Sequence, residues 1–122
     1  MARVLALTAD LLFGSRVQGA LQAAGYEVEL LGGESHLRAR LAEEEGDRAK
    51  VLVVDLTDPD LDGAAIVSSL RADGALAGMR TLGFYSHVDA PARERALQAG
   101  FDQVVPRSRM AREGPELVAR LR

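Results

Sequence analysis

Cysteine is absent from this 122-residue chain. That excludes disulfides, thiolate nucleophiles and cysteine-held metals, and it fits a reducing compartment. Tryptophan is absent too, and aromatic residues make up only 4% of the chain. Too few remain to build the stacking platforms used on single-stranded nucleic acid. Positive charge is not in excess: the net charge is -3, so there is no basic footprint for nucleic acid. No apolar run approaches the roughly 20 residues of a membrane span. The stretch from Met1 to Leu7 meets Thr8 and Asp10 too soon for a signal peptide. A cytoplasmic protein with no membrane or nucleic-acid partner is the expectation. Lysine is nearly missing, since Lys50 is the only one. Any cation in a functional site is therefore an arginine, whose guanidinium is planar and stays charged.

What is present is a regular alternation of short apolar runs and helical patterns. The length suits a single domain, residues 1–122, with a core of its own. Arg3–Thr8 predicts a first strand. Asp10 is placed to cap a helix over Leu11–Ala24, with Phe13, Val17, Ala20, Leu21 and Ala24 inward. Tyr26–Leu31 predicts a second strand and Glu34–Gly46 a second helix, with Glu43-Glu44-Glu45 at its solvated end. Lys50–Asp55 predicts the third strand and Ala64–Ala72 the third helix, packed through Ile66, Val67 and Leu70. Arg80–Ser86 predicts the fourth strand, in which Gly83 implies a close approach by a neighbouring backbone or helix. Asp89 and Pro91 open a fourth helix that Gly100 closes, with Ala92, Ala96, Leu97 and Ala99 inward. Asp102–Val105 predicts a short fifth strand and Pro106-Arg107-Ser108 a turn. Met110–Leu121 predicts a last helix that Gly114-Pro115 divides. Strand-helix alternation with connections of this length implies right-handed crossovers and a parallel sheet covered on both faces.

The most informative stretch is Val51–Gly63, VLVVDLTDPDLDG. Four apolar residues, mostly β-branched, end abruptly at Asp55, as in a strand buried on both faces. Asp55 then stands at the carboxyl edge of a central strand, where open α/β sheets bind ligands. Asp55, Pro59 and Asp62-Gly63 together resemble the phosphoacceptor segment of bacterial response-regulator receiver domains. The resemblance covers essentially the whole chain. It implies a flavodoxin-like three-layer α/β sandwich, with a five-stranded parallel sheet in the order 2-1-3-4-5 and five helices.

The resemblance also implies a site. Receivers transfer a phosphoryl group to the central Asp with three aids: an acidic pair after the first strand that holds Mg²⁺, a Ser or Thr ending the fourth strand, and a Lys ending the fifth. Asp55 takes the place of the phosphoacceptor, and Ser86 that of the hydroxyl. His87 follows where a small residue is usual. Arg107 falls on the Lys position, with Ser108 after it. The acidic pair falls on Thr8 and Ala9, so both carboxylates are missing. A weak Mg²⁺ site could be rebuilt from Asp10, Asp55 and Thr57, with Asp58 and Asp60 as substitutes. Otherwise Asp10 is a helix cap and Asp58 and Asp60 are turn residues.

With two carboxylates lost and one cation kept, an Asp55–Arg107 ion pair is the expected resting state. The function that follows is a stand-alone receiver-like module of two-component or phosphorelay signalling, with impaired or absent phosphorylation, acting through protein partners. Those would be a histidine kinase or a second copy docked on the fourth helix, fifth strand and fifth helix, where Val104 replaces the usual aromatic. The alternatives are a working phosphoacceptor using Asp55 with rebuilt metal, and an anion-binding or hydrolytic domain. Thr8, Ser86, Arg107 and Ser108 would hold the anion. Hydrolysis is disfavoured because neighbouring Ser86 and His87 side chains diverge and no nucleophile elbow is present. No enzyme activity is expected.

Overall fold

The computed structural model describes residues 3–43 and 49–122. Strands and helices alternate as β1 (Arg3–Leu7), α1 (Leu11–Ala23), β2 (Glu27–Leu31), α2 (Glu34–Glu43), β3 (Val51–Asp55), α3 (Gly63–Ala72), β4 (Arg80–Tyr85), α4 (Ala90–Gln98), β5 (Gln103–Pro106) and α5 (Arg107–Leu121). Every pairing is parallel, and the order across the sheet is β2-β1-β3-β4-β5. This is the expected flavodoxin-like sandwich.

Side-chain alternation along the central strands divides the core into two layers. Leu5 and Leu7 of β1 and Leu52 and Val54 of β3 pack with Leu37, Ile66, Val67, Leu70 and Ala96, beneath α2, α3 and α4. Val4 and Ala6 of β1 and Val51 and Val53 of β3 pack with Phe13, Val17, Leu21, Met110, Leu117 and Val118, beneath α1 and α5. All five residues of β3 are buried, which is why its run is continuously apolar rather than alternating. Each fully buried aliphatic side chain contributes about 1.5–3 kcal/mol. The two apolar layers therefore outweigh any single polar contact in holding the fold.

The helix starts follow the capping residues. Asp10, Asp62 and Asp89 cap α1, α3 and α4, accepting from the backbone N–H of Phe13, Ala65 and Ala92. The exception is α5, whose cap position is Pro106 with no side-chain hydrogen bond. Here the expected turn at Pro106-Arg107-Ser108 is absent. Pro106 still pairs with Tyr85 in the sheet, and α5 begins at Arg107. An outermost strand tolerates proline because it leaves one side of its ladder unpaired. The expected division at Gly114-Pro115 takes the form of a kink: Glu113 leaves the helical conformation at φ -124, ψ 17.

The inward face of α4 is narrower than its spacing suggests. Ala96 is buried, but Leu97 is 40% exposed. Ala20 and Ala24, at the end of α1, are exposed as well. Gly83 does mark a close approach, but by side chains: a Cβ there would lie 2.7 Å from Leu56 and 3.0 Å from Phe101. At the end of α2, Glu44, Glu45 and Gly46 lie outside the described residues.

Candidate functional site

The strand register assembles the site. Leu7 pairs with Val54 and Asp55 with Phe84, while Phe84 pairs with Val105. Val53, Phe84 and Val105 all face the α1/α5 layer, as does Ala6. Two residues further on, the same face is continued by Asp55, Ser86, Arg107 and Thr8, because strand side chains alternate with a period of two. Four residues far apart in the chain thus gather at one edge of the sheet.

Asp55 is 1% exposed, and both of its carboxyl oxygens are engaged. Thr8 Oγ1 donates to Oδ2 at 2.7 Å. The Thr57 hydroxyl donates to Oδ1 at 2.6 Å and the Thr57 backbone N–H to the same oxygen at 2.8 Å. Thr8, itself 4% exposed, also accepts from the Asp10 N–H at 3.1 Å. Two glycines make room for this arrangement. A Cβ on Gly14 would lie 2.9 Å from the Thr8 methyl, so α1 rests directly against that side chain. A Cβ on Gly63 would lie 2.6 Å from Val54 and 3.2 Å from the Asp55 carbonyl, so α3 can start close behind β3 only with glycine there.

Arg107 does not pair with Asp55. Its guanidinium donates to Asp10 Oδ2 at 3.0 Å and lies over the Phe13 ring, 4.2 Å from the centroid. Asp10 is a closer acceptor because its carboxylate stays half-exposed at the helix start, while Asp55 is already surrounded by hydroxyl and N–H donors. Asp10 Oδ1 takes the Phe13 N–H at 3.0 Å. That backbone bond first, and then the charge of Arg107, hold the Asp10 carboxyl below its ordinary value against a desolvation effect that opposes them. Asp10 thus serves as cap and ion-pair partner together.

The remaining expected residues divide. Ser86 and Ser108 line the same cleft as Thr57 and Arg107, and His87 stands exposed at its rim. Asp58 accepts from the Asp60 N–H at 2.9 Å in a side-chain-closed turn, on the α3 side and away from that cleft. Asp62, besides capping α3, receives Arg95 Nη2 of α4 at 2.8 and 2.9 Å.

These donors do not suit Mg²⁺. The ion needs carboxylate or carbonyl oxygens free to face it. Thr8 and Ala9 supply no carboxylate, both Asp55 oxygens accept protein hydrogen bonds, and Asp10 is held by Phe13 and Arg107. Among the described residues no group of three or more acidic or histidine side chains is placed to hold a metal.

Four residues here act in ways that a reading of the sequence by position does not assign. Thr57 donates to Asp55 through its hydroxyl and N–H, where the sequence offered it as a metal contact. Gly14 looks like an unfavourable helix residue until Thr8 is placed against it. Phe13 and Arg16, three apart on α1, turn toward the same cleft; that spacing was available in the sequence but carried no partner.

No protein-family model matches the chain, and no curated protein matches it. Solved structures do. CheY4, a chemotaxis protein of Vibrio cholerae, superposes with a TM-score of 0.85 at 20% identity, over 100% of this chain and 99% of its own. A CheY-like receiver domain from Methanospirillum hungatei JF-1 gives 0.81 at 20% identity, covering 98% and 92%. A response regulator from Thermotoga maritima gives 0.82 at 15% identity, covering 99% and 97%. Over its whole length, this chain has the fold of the CheY-like response-regulator receiver domain.

Proposed function

We propose that this chain is a receiver-type signalling module that works by binding protein partners and does not take a phosphoryl group onto Asp55. One observation carries the reading. The Asp55 carboxyl is buried with both oxygens bonded to Thr8 and Thr57, while the nearby cation, Arg107, is bonded to Asp10. An incoming phosphoryl group would have to displace those donors. The oxygens of Asp10 and Asp55 that could hold a metal are already bonded, and Arg107 is directed to Asp10, so neither is placed to offset the incoming charge at Asp55.

Protein partners follow from the fold's use in two-component signalling. The proposed surface is the α4–β5–α5 face, where Leu97 is exposed and Val104 is partly buried. A histidine kinase and a second copy of the chain are the partners this reading offers. Among the described residues no helix is long and apolar enough to cross a membrane. A hydrolytic role is not favoured: Ser86 and His87 both border the cleft, but among the described residues no hydrogen bond joins their side chains.

The test is incubation with acetyl phosphate and Mg²⁺, followed by intact mass measurement. The expected result is an unmodified chain. A phosphoryl adduct that disappears in Asp55→Asn would overturn the reading and restore the working phosphoacceptor.

A further inference from the structure

The cleft beside the acceptor has properties that the acceptor lacks. It encloses about 430 Å³ between α1, the β4–α4 connection and the start of α5. That lies within the range of small-molecule sites, roughly 300–1,000 Å³. Asp55 does not line it. Although the chain is acidic overall, no carboxylate lines it either. Its charged groups are the guanidiniums of Arg16 and Arg107, with His87 at the rim.

The two arginines differ in a useful way. Arg107 is held in place by Phe13 below it and Asp10 beside it, yet uses only one N–H on Asp10. A guanidinium carries five N–H donors, so most of its fork remains available. Arg16 has no hydrogen-bond or ion-pair partner among the described residues. Thr57, Ser86 and Ser108 add hydroxyls, and Phe13, Pro106 and Ala111 supply an apolar wall. A pair of guanidiniums with hydroxyls between them recognises a phosphate or carboxylate head. The wall of Phe13, Pro106 and Ala111 leaves room for an apolar body attached to that head.

We propose that this cleft binds a small organic anion, a phosphate or carboxylate with an apolar body, without metal. Arg16 and Arg107 hold the head, and Phe13, Pro106 and Ala111 hold the body. Ligand binding would then be the input to the module. This rests on the reading that phosphoryl transfer to Asp55 is not the input.

The test uses phenyl phosphate as probe, titrated into the full chain in EDTA and followed by backbone and arginine side-chain NMR. Saturable shifts are expected at Phe13, Arg16, Ser86, Arg107 and Ser108, with a Kd of about 1 mM or tighter. Inorganic phosphate, which lacks the body, should bind about tenfold more weakly. Arg16→Gln removes an exposed side chain without touching the core and should weaken phenyl phosphate by about tenfold. Ala111→Leu, also at an exposed position, should fill the cleft and abolish binding. Absence of saturable shifts, equal binding of inorganic phosphate, or an Arg16→Gln variant that binds unchanged would each overturn the proposal. A phosphoryl adduct on Asp55 with acetyl phosphate would overturn the inactive-acceptor reading and the input role that rests on it, but not the binding itself, which the titration in EDTA reads separately.

Discussion

Thr8 is the residue on which the state of Asp55 turns. Its hydroxyl donates to Asp55 and accepts from the Asp10 N–H, both at a nearly fully buried position. Thr8→Val keeps the shape but strands both partners. Leaving a buried polar group unpaired costs about 1–3 kcal/mol, so urea denaturation should show a loss of that size. Thr8→Ser, which keeps the hydroxyl, should lose less. Asp10 makes a prediction of a different kind. The Phe13 N–H and then Arg107 hold its folded pKa below the unfolded value. The stability it contributes is therefore present above the unfolded pKa and disappears as pH falls through the folded one. The gap between wild type and Asp10→Ala should be full near neutrality and close in acid, measured as denaturation midpoints across pH. Asp10→Asn, which can still cap, should show the smaller gap because the backbone bond is the larger cause. Positional carry-over brought Asp55, Ser86 and Arg107 to one edge of the sheet but gave Arg107 the wrong partner. Sequence spacing gives no means of choosing between Asp10 and Asp55 as acceptors. That choice depends on Thr8 and Thr57 having already occupied Asp55.

The elements were more legible than their ends. The continuous run of β3 and the aspartates at the starts of α1, α3 and α4 show in the sequence because burial on two faces and capping each impose a local residue preference. The β5–α5 junction did not show. Pro106 suggests a turn, yet as the last residue of an outer strand it ends the sheet and opens the helix at once. The junction between β3 and α3 depends on Gly63. Gly63→Ala should cost about 1–3 kcal/mol through crowding against Val54 and the Asp55 carbonyl. The amide signals of Asp55 and Thr57 should move in its NMR spectrum while those of β2 do not. At the opposite edge of the sheet, Asp102 accepts from the Thr81 N–H at 2.7 Å, its hydroxyl at 3.1 Å and Arg71 at 3.4 Å. Thr81 is 0% exposed. Asp102→Ala should therefore destabilise the β4–β5 end by about 1–3 kcal/mol, read by thermal or urea unfolding. Nothing in the run FDQVV signals that network, since its partners lie in α3 and β4.

At the scale of the whole molecule, the receiver-type fold is intact and the Asp55 carboxyl is satisfied by neutral donors. On the proposed reading, the physical origin is that Thr8 and Ala9 stand where receivers carry an acidic pair. An ordinary receiver site collects carboxylates that repel one another until a divalent ion joins them. Here the Thr8 hydroxyl hydrogen-bonds Asp55 instead. Restoring the acidic pair should reverse the behaviour. A Thr8→Asp, Ala9→Asp variant should be less stable than wild type in EDTA, because carboxylates at the site repel. Mg²⁺ should restore it by binding the folded state, seen as a rise in Tm absent from the wild type. The most direct measurement is an NMR titration of the wild-type chain with Mg²⁺, following the amides of Thr8, Asp10, Asp55 and Thr57. Signals that stay in place across the titration are the predicted result. Saturable, localised shifts at those four positions would mean that Asp55 and Asp10 are free to hold the ion, and would contradict the account.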